Sequence, residues 1–281
     1  MKTTPARLAG VVVALLVAAS IQILFQTATA APAAAVAGLV RVQSPTPVAN
    51  TTTVKTAKAI CPSGTRAVGG GGWAFDNDAF QVHLTGLIPE TDGYRANAEA
   101  SPGFTGSWWL QAYALCAPTP AGLEIRTSTQ QNPASNPFVS GFVDCPSGKE
   151  LLGTGAAATS GTGRVGLQMN DTLGGRTRAH SGAHEIAAGY SGSWALTTYA
   201  VCANPVAGAT SFNKQVSGSG GFANCPAGTR IHSVTGGGPL FDAGPVLLQV
   251  LFPSSSLSQV EVFLTGAPSH NITNDGAICA A

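Results

Sequence analysis

Ser107-Trp108-Trp109-Leu110-Gln111-Ala112-Tyr113-Ala114-Leu115-Cys116-Ala117 and Ser193-Trp194-Ala195-Leu196-Thr197-Thr198-Tyr199-Ala200-Val201-Cys202-Ala203 are one phrase written twice. Successive side chains of a β-strand point to opposite faces. The first copy therefore splits into Trp108, Leu110, Ala112, Ala114 and Cys116 on one side, and Trp109, Gln111, Tyr113 and Leu115 on the other. The second copy splits the same way, and the Trp–Leu–small–Ala–Cys side is the expected core face. A degraded third copy ends in Gly276-Ala277-Ile278-Cys279-Ala280. There Asn271, Thr273 and Asp275 replace Trp, Leu and a small residue, which predicts a last strand that is weaker, shifted in register or covered differently.

Each closing phrase has an opening one: Cys61-Pro62-Ser63-Gly64, Cys145-Pro146-Ser147-Gly148 and Cys225-Pro226-Ala227-Gly228. One opening and one closing cysteine per repeat predicts the disulfides Cys61–Cys116, Cys145–Cys202 and Cys225–Cys279, at intervals of 55, 57 and 54 residues. Close Cys pairs of the kind structural zinc requires are absent from the sequence. Gly38-Leu39 and Gly122-Leu123 recur at an 84-residue spacing, and Gly122 and Gly208 each lie six residues past a closing cysteine. The repeats therefore run 38–120, 121–206 and 207–281, with the apparent linkers inside them.

Within each repeat the Cys-Pro-x-Gly turn precedes a glycine-rich stretch, of which Gly69-Gly70-Gly71-Gly72-Trp73 is the longest. No helical period follows it, so a phosphate-binding loop is disfavoured, and a strand that bulges or approaches other backbone is expected. Val82/Leu84, Val165/Leu167/Met169 and Val246/Leu248/Val250 alternate with other residues and read as half-buried strands. Four to six strands per repeat, with no amphipathic helix, predict an all-β protein. A pseudo-three-fold, β-prism-like set of antiparallel sheets with one disulfide per repeat closes such units and covers their edges. A β-trefoil and three tandem modules are the alternatives.

Lys2 and Arg7 flank an apolar run to Phe25 that ends in Ala28-Thr29-Ala30, the pattern of a cleaved signal peptide over 1–30. Residues 31–281 are then expected as a single secreted all-β domain, monomeric and without a membrane span. Cleavage removes two of the 14 basic residues and none of the 13 acidic ones, so the formal charge moves from +1 to about −1. Only 10% of the residues are charged, against about 25% in an ordinary domain. This excludes a basic nucleic-acid binder and favours neutral partners, either a polysaccharide or a surface protein.

The phrase Cys-Pro-x-Gly … Gly-Gly-Gly … Trp-x-Leu-x-x-Tyr-Ala-x-Cys-Ala, carried by Cys61–Ala117, Cys145–Ala203 and in part Cys225–Ala280, resembles a repeat of exported proteins from high-GC Gram-positive bacteria. That resemblance implies export and repetition but no particular activity. The three-fold disulfide-linked pattern is also similar in architecture to the vitelline membrane outer layer proteins, which implies a β-prism.

No catalytic motif stands out, and no cofactor is expected. Gly189-Tyr190-Ser191-Gly192-Ser193 lacks the last glycine of a nucleophile elbow. His180, His184 and Glu185 would chelate metal only on a helix, which Ser181 and Gly182 disfavour. Asp76-Asn77-Asp78 reads as a turn rather than a calcium loop. The aromatics offer more. Trp108 and Trp194 recur and are expected in the core, whereas Trp73, Trp109 and Tyr94 lack counterparts in the other repeats. With the polar Gln111 and Asn97 they form the expected ligand-contact set, aromatic rings being suited to stack on sugar faces. The expectation is thus a non-enzymatic structural or surface-interaction protein. Its alternatives are a carbohydrate-binding module built on repeat one and a hydrolase with an unrecognised site.

Overall fold

The computed structural model describes residues 38–77, 79–133, 136–159, 162–238, 245–266 and 273–281. The expected signal peptide, Asp78 and Asn271 lie outside them. Residues 33–281 belong to one compact unit. The first repeat supplies β1 (Val40–Gln43), β2 (Val54–Ile60), β3 (Thr65–Phe75), β4 (Val82–Glu90), β5 (Gly93–Ala100) and β6 (Trp109–Pro118). The second supplies β7 (Glu124–Asn132), β8 (Phe138–Asp144), β9 (Glu150–Thr159), β10 (Val165–Leu173), β11 (Arg178–Glu185) and β12 (Trp194–Ala203). The third supplies β13 (Thr210–Val216), β14 (Gly220–Asn224), β15 (Arg230–Gly237), β16 (Val246–Pro253), β17 (Gln259–Gly266) and β18 (Thr273–Ala280).

These strands form three six-stranded antiparallel sheets, and no sheet belongs to one repeat. Sheet one is β1-β6-β3-β16-β17-β14, sheet two is β2-β5-β4-β9-β12-β7, and sheet three is β13-β18-β15-β10-β11-β8. Each repeat thus gives its first, sixth and third strands to one sheet and its second, fifth and fourth to the next. The last repeat pairs back onto the first through β16 and β3, closing the prism. The seams between repeats are short: Trp73–Val250 and Gly72–Leu251, Gly86–Ala157 and Leu87–Ala156, Met169–Gly237 and Asn170–Gly236.

The Cys-Pro-x-Gly phrase is a hydrogen-bonded turn in all three copies. Thr65, Lys149 and Thr229 each donate their N–H to the carbonyl of the proline three residues back, at 3.0 Å. The third turn residue, Gly64, Gly148 or Gly228, has φ near +80° (81°, 79° and 82°), a conformation that favours glycine. The turn sends the chain from one sheet into the next. The cysteine before it then bonds to the sixth strand of its own repeat: Cys61–Cys116, Cys145–Cys202 and Cys225–Cys279, as expected. Every disulfide is therefore internal to a repeat but joins two different sheets, so the three together stitch the sheets into a ring. Such bonds belong to an oxidising compartment.

The glycine-rich strands are needed for close backbone approach. β3, β9 and β15 converge inside the prism, and a Cβ on Gly153 would collide with the Val68 carbonyl oxygen, one on Gly69 with the His232 carbonyl oxygen. Each of these strands also carries a bulge, at Val68, Leu152 and His232. Trp108 and Trp194 lie in the core at 1% and 2% exposure, with Leu84, Leu167, Leu248 and Leu196. The fourth-strand segments are buried on both faces rather than half-buried, because the seams enclose them: β4 has only Glu90 partly exposed. The last strand is not shifted. Cys279 pairs with Thr210 and Ile231, as Cys116 pairs with Val40 and Ala67. It is covered differently, with Thr273 donating its hydroxyl to the Gly218 carbonyl at 2.6 Å.

Candidate functional site

Strand register places Trp73 opposite Gln111 and Phe75 opposite Trp109 on sheet one, while Ala74, Leu110 and Ala112 between them point into the core. These rings are thus on the outer face. Trp73 and Trp109 meet edge to face, centroids 4.9 Å apart, and Phe75 tilts against Trp109 at 5.3 Å. Phe252 of β16 lies flat on Trp73 at 5.2 Å and 2°, and also stacks with Tyr113 at 5.2 Å. The Arg41 guanidinium caps the Tyr113 ring at 4.4 Å. The result is one row of five rings across three strands and two repeats. Trp73, Trp109, Phe75 and Phe252 are half-buried, and only Tyr113 is covered. Burial pulls the Arg41 guanidinium below its usual range and pushes the Tyr113 hydroxyl above it.

Among the described residues, the other two sheets do not carry this row. By register, sheet two has Ala157, Thr159, Ala195 and Ile88 where sheet one has Trp73, Phe75, Trp109 and Phe252. Sheet three has Gly237 and Asp171 at the Trp73 and Phe252 positions. The fold itself therefore does not demand these four rings, whereas Tyr113 recurs on sheet two as Tyr199.

The remaining expected contact residues are elsewhere. Tyr94 is fully buried: its ring covers Gly70, where a Cβ would overlap it, and its hydroxyl donates to the Thr154 carbonyl at 2.9 Å. It is a core residue and not a ligand contact. Gln111 shares the outer face but is 6% exposed, because its amide donates to both the carbonyl and the hydroxyl of Ser44 at 2.6 Å. Its work is to hold the chain as it leaves β1. Asn97 lies on β5 in sheet two, accepting a hydrogen bond from the Thr56 hydroxyl at 3.1 Å, and does not join the tryptophans. Of the five, Trp73, Trp109 and the covered Gln111 share this face, and Trp73 and Trp109 are in ring contact. Phe75, Phe252 and Tyr113 complete their row. Phe75 was legible as Trp73's same-face neighbour two residues on, whereas Phe252 comes from the far repeat and had no local signal.

His180 and His184 are on a strand, not a helix. His180 stacks on Phe142 at 4.4 Å, and burial lowers its pKa to about 4. Glu185 accepts hydrogen bonds from the Trp194 indole at 3.1 Å and from the Tyr190 N–H at 2.9 Å, so both carboxylate oxygens serve the fold. Asp76 likewise accepts from Gln249 at 2.9 Å and from the Gln81 N–H at 2.6 Å, closing its turn. Among the described residues no group of three metal-ligating side chains converges, and no helix is long and apolar enough to cross a membrane.

Comparison with protein-family models finds no match for the chain, and none of the curated proteins matches it.

Proposed function

We propose that this is a secreted, non-enzymatic binding protein that engages a neutral polysaccharide at the outer face of sheet one. One observation carries the reading: the four half-buried rings Trp73, Phe75, Trp109 and Phe252 are contiguous on a sheet face whose described equivalents on the other two sheets carry small, polar or isolated aliphatic side chains. Partly exposed rings that the core does not require are maintained at a cost in solubility, which a ligand surface explains. Aromatic rings offer an apolar face to the C–H side of a sugar without needing a charged partner. The low charge of the chain suits an uncharged polymer. The disulfide ring suits the space outside the cell.

Retention on washed insoluble cellulose, chitin and xylan tests this, with a sulfated polysaccharide as the charged control. The wild-type protein should be retained on at least one neutral polymer and not on the sulfated one through charge alone. Retention on none of them rejects the reading. A second reading is a protein partner on the same face, favoured by Phe222, which is 45% exposed and lies edge-on to Phe263 at 6.2 Å on the same sheet.

A further inference from the structure

β4, β10 and β16 all begin at one end of the prism, and their second residues are His83, Gly166 and Leu247. These three meet. A Cβ on Gly166 would run into the His83 ring and come to 3.0 Å from the Leu247 side chain. The imidazole of one repeat and the leucine of another thus share the room that glycine leaves in the third. Beside them opens a hollow of about 510 Å³, lined by residues of all three repeats, among them Phe80, Pro102, Ile186 and Thr265. Its volume falls in the range of about 300–1,000 Å³ typical of small-molecule sites. Among the described residues, none of its lining side chains is a lysine, arginine, aspartate or glutamate.

His83 is 1% exposed. It bonds the Val165 main chain, and its Nε2 has no hydrogen-bond partner among the described residues. Burial lowers its pKa to about 4, so the ring is neutral near pH 7 and Nε2 offers a lone pair. A buried acceptor without a donor is unfavourable, and a donor that reaches it removes that penalty. The repeat does not require an imidazole here, since glycine and leucine serve the same position elsewhere.

We propose that this axial hollow binds a small uncharged ligand with a mainly apolar body and an O–H or N–H group that donates to His83. The site is separate from the aromatic row of sheet one and draws on different residues. 2-Naphthol and 2-methoxynaphthalene, which match in size but differ in the donor, are the probes, read by saturation-transfer NMR and calorimetric titration on the disulfide-intact protein. Wild type should bind 2-naphthol at least about fivefold more tightly than the methyl ether. His83→Leu should reduce that ratio to near one. Ala187→Trp, at an exposed rim position, should abolish binding of both, and Ala188→Trp serves if the first variant melts early. Trp109→Ala should change neither affinity. Absence of 2-naphthol binding to wild type, or unchanged binding in both rim variants, overturns the proposal, whatever the outcome with polysaccharides.

Discussion

Trp73 of the first repeat lies flat on Phe252 of the third, with centroids 5.2 Å apart and 2° between planes. The stack sits on the seam where β3 pairs with β16, so it covers the joint that closes the prism from the end of the chain back to its beginning. Only two residue pairs make that joint, and side-chain contact across it supplements a short ladder. Aromatic pairs of this kind contribute about 1 kcal/mol beyond area burial. Trp73→Ala should destabilise the protein by about 2 kcal/mol in urea unfolding. A double-mutant cycle with Phe252→Ala should return a coupling of about 1 kcal/mol, and additive effects would show that the seam does not depend on the stack.

The three disulfides close loops of similar length, 55, 57 and 54 residues, and each joins two sheets. Removing any one pair by Cys→Ala substitution should cost about 4 kcal/mol on the chain-entropy account. The three losses should agree with one another, because no bridge is peripheral to the ring. Denaturant midpoints of the three double variants at matched m-values check this.

Tyr94 separates packing from binding. Tyr94→Phe keeps the ring over Gly70 and loses the hydrogen bond to the Thr154 carbonyl, so stability should fall by about 1 kcal/mol. Polysaccharide retention should not change. A loss of retention at full folding would return Tyr94 to the ligand surface.

Asp275 predicts an unusual pH response. Burial raises its carboxyl to about 7, with Lys214 opposing, whereas the unfolded chain has an ordinary aspartate near about 3.9. Between these values the folded state holds more protons than the unfolded one. The contribution of this group to stability is therefore greatest below pH 4 and is lost as pH rises through about 7. His83 and His180, both lowered to about 4, act oppositely: their contribution is present above about 6.5 and is lost as pH falls through 4. Asp275→Asn isolates the first term. Its thermal midpoint should exceed that of wild type at pH 8 and approach it at pH 5.

Much of this fold was legible because its strongest strand was written twice. The alternation from Trp108 to Cys116 names the core face without reference to any other strand, and the cysteine phrases pair within a repeat wherever the strands go. The sharing of sheets between repeats was not legible. Each repeat shows the same local pattern whether its strands pair with each other or with a neighbour, and only two residue pairs per seam mark the difference. The site was half legible for a related reason. Absence from the other repeats singled out Trp73 and Trp109, whose rings meet on the outer face, but it also singled out Tyr94, whose ring fills room above Gly70, where the second repeat has Thr154. A residue without counterparts can compensate for a glycine as readily as it can meet a ligand.

Two aromatic positions on different sheets distinguish binding at the row from general adsorption. Trp109→Ala removes a ring from the row on sheet one, and Tyr199→Ala removes one from the outer face of sheet two. Depletion isotherms on the polysaccharide that retains wild type, with thermal midpoints measured in parallel, give both binding and folding. Trp109→Ala should stay folded within about 1 kcal/mol of wild type and lose at least about tenfold in affinity, while Tyr199→Ala should bind as wild type does. Equal binding by the folded Trp109→Ala protein, or equal losses in both variants, would contradict binding at the row.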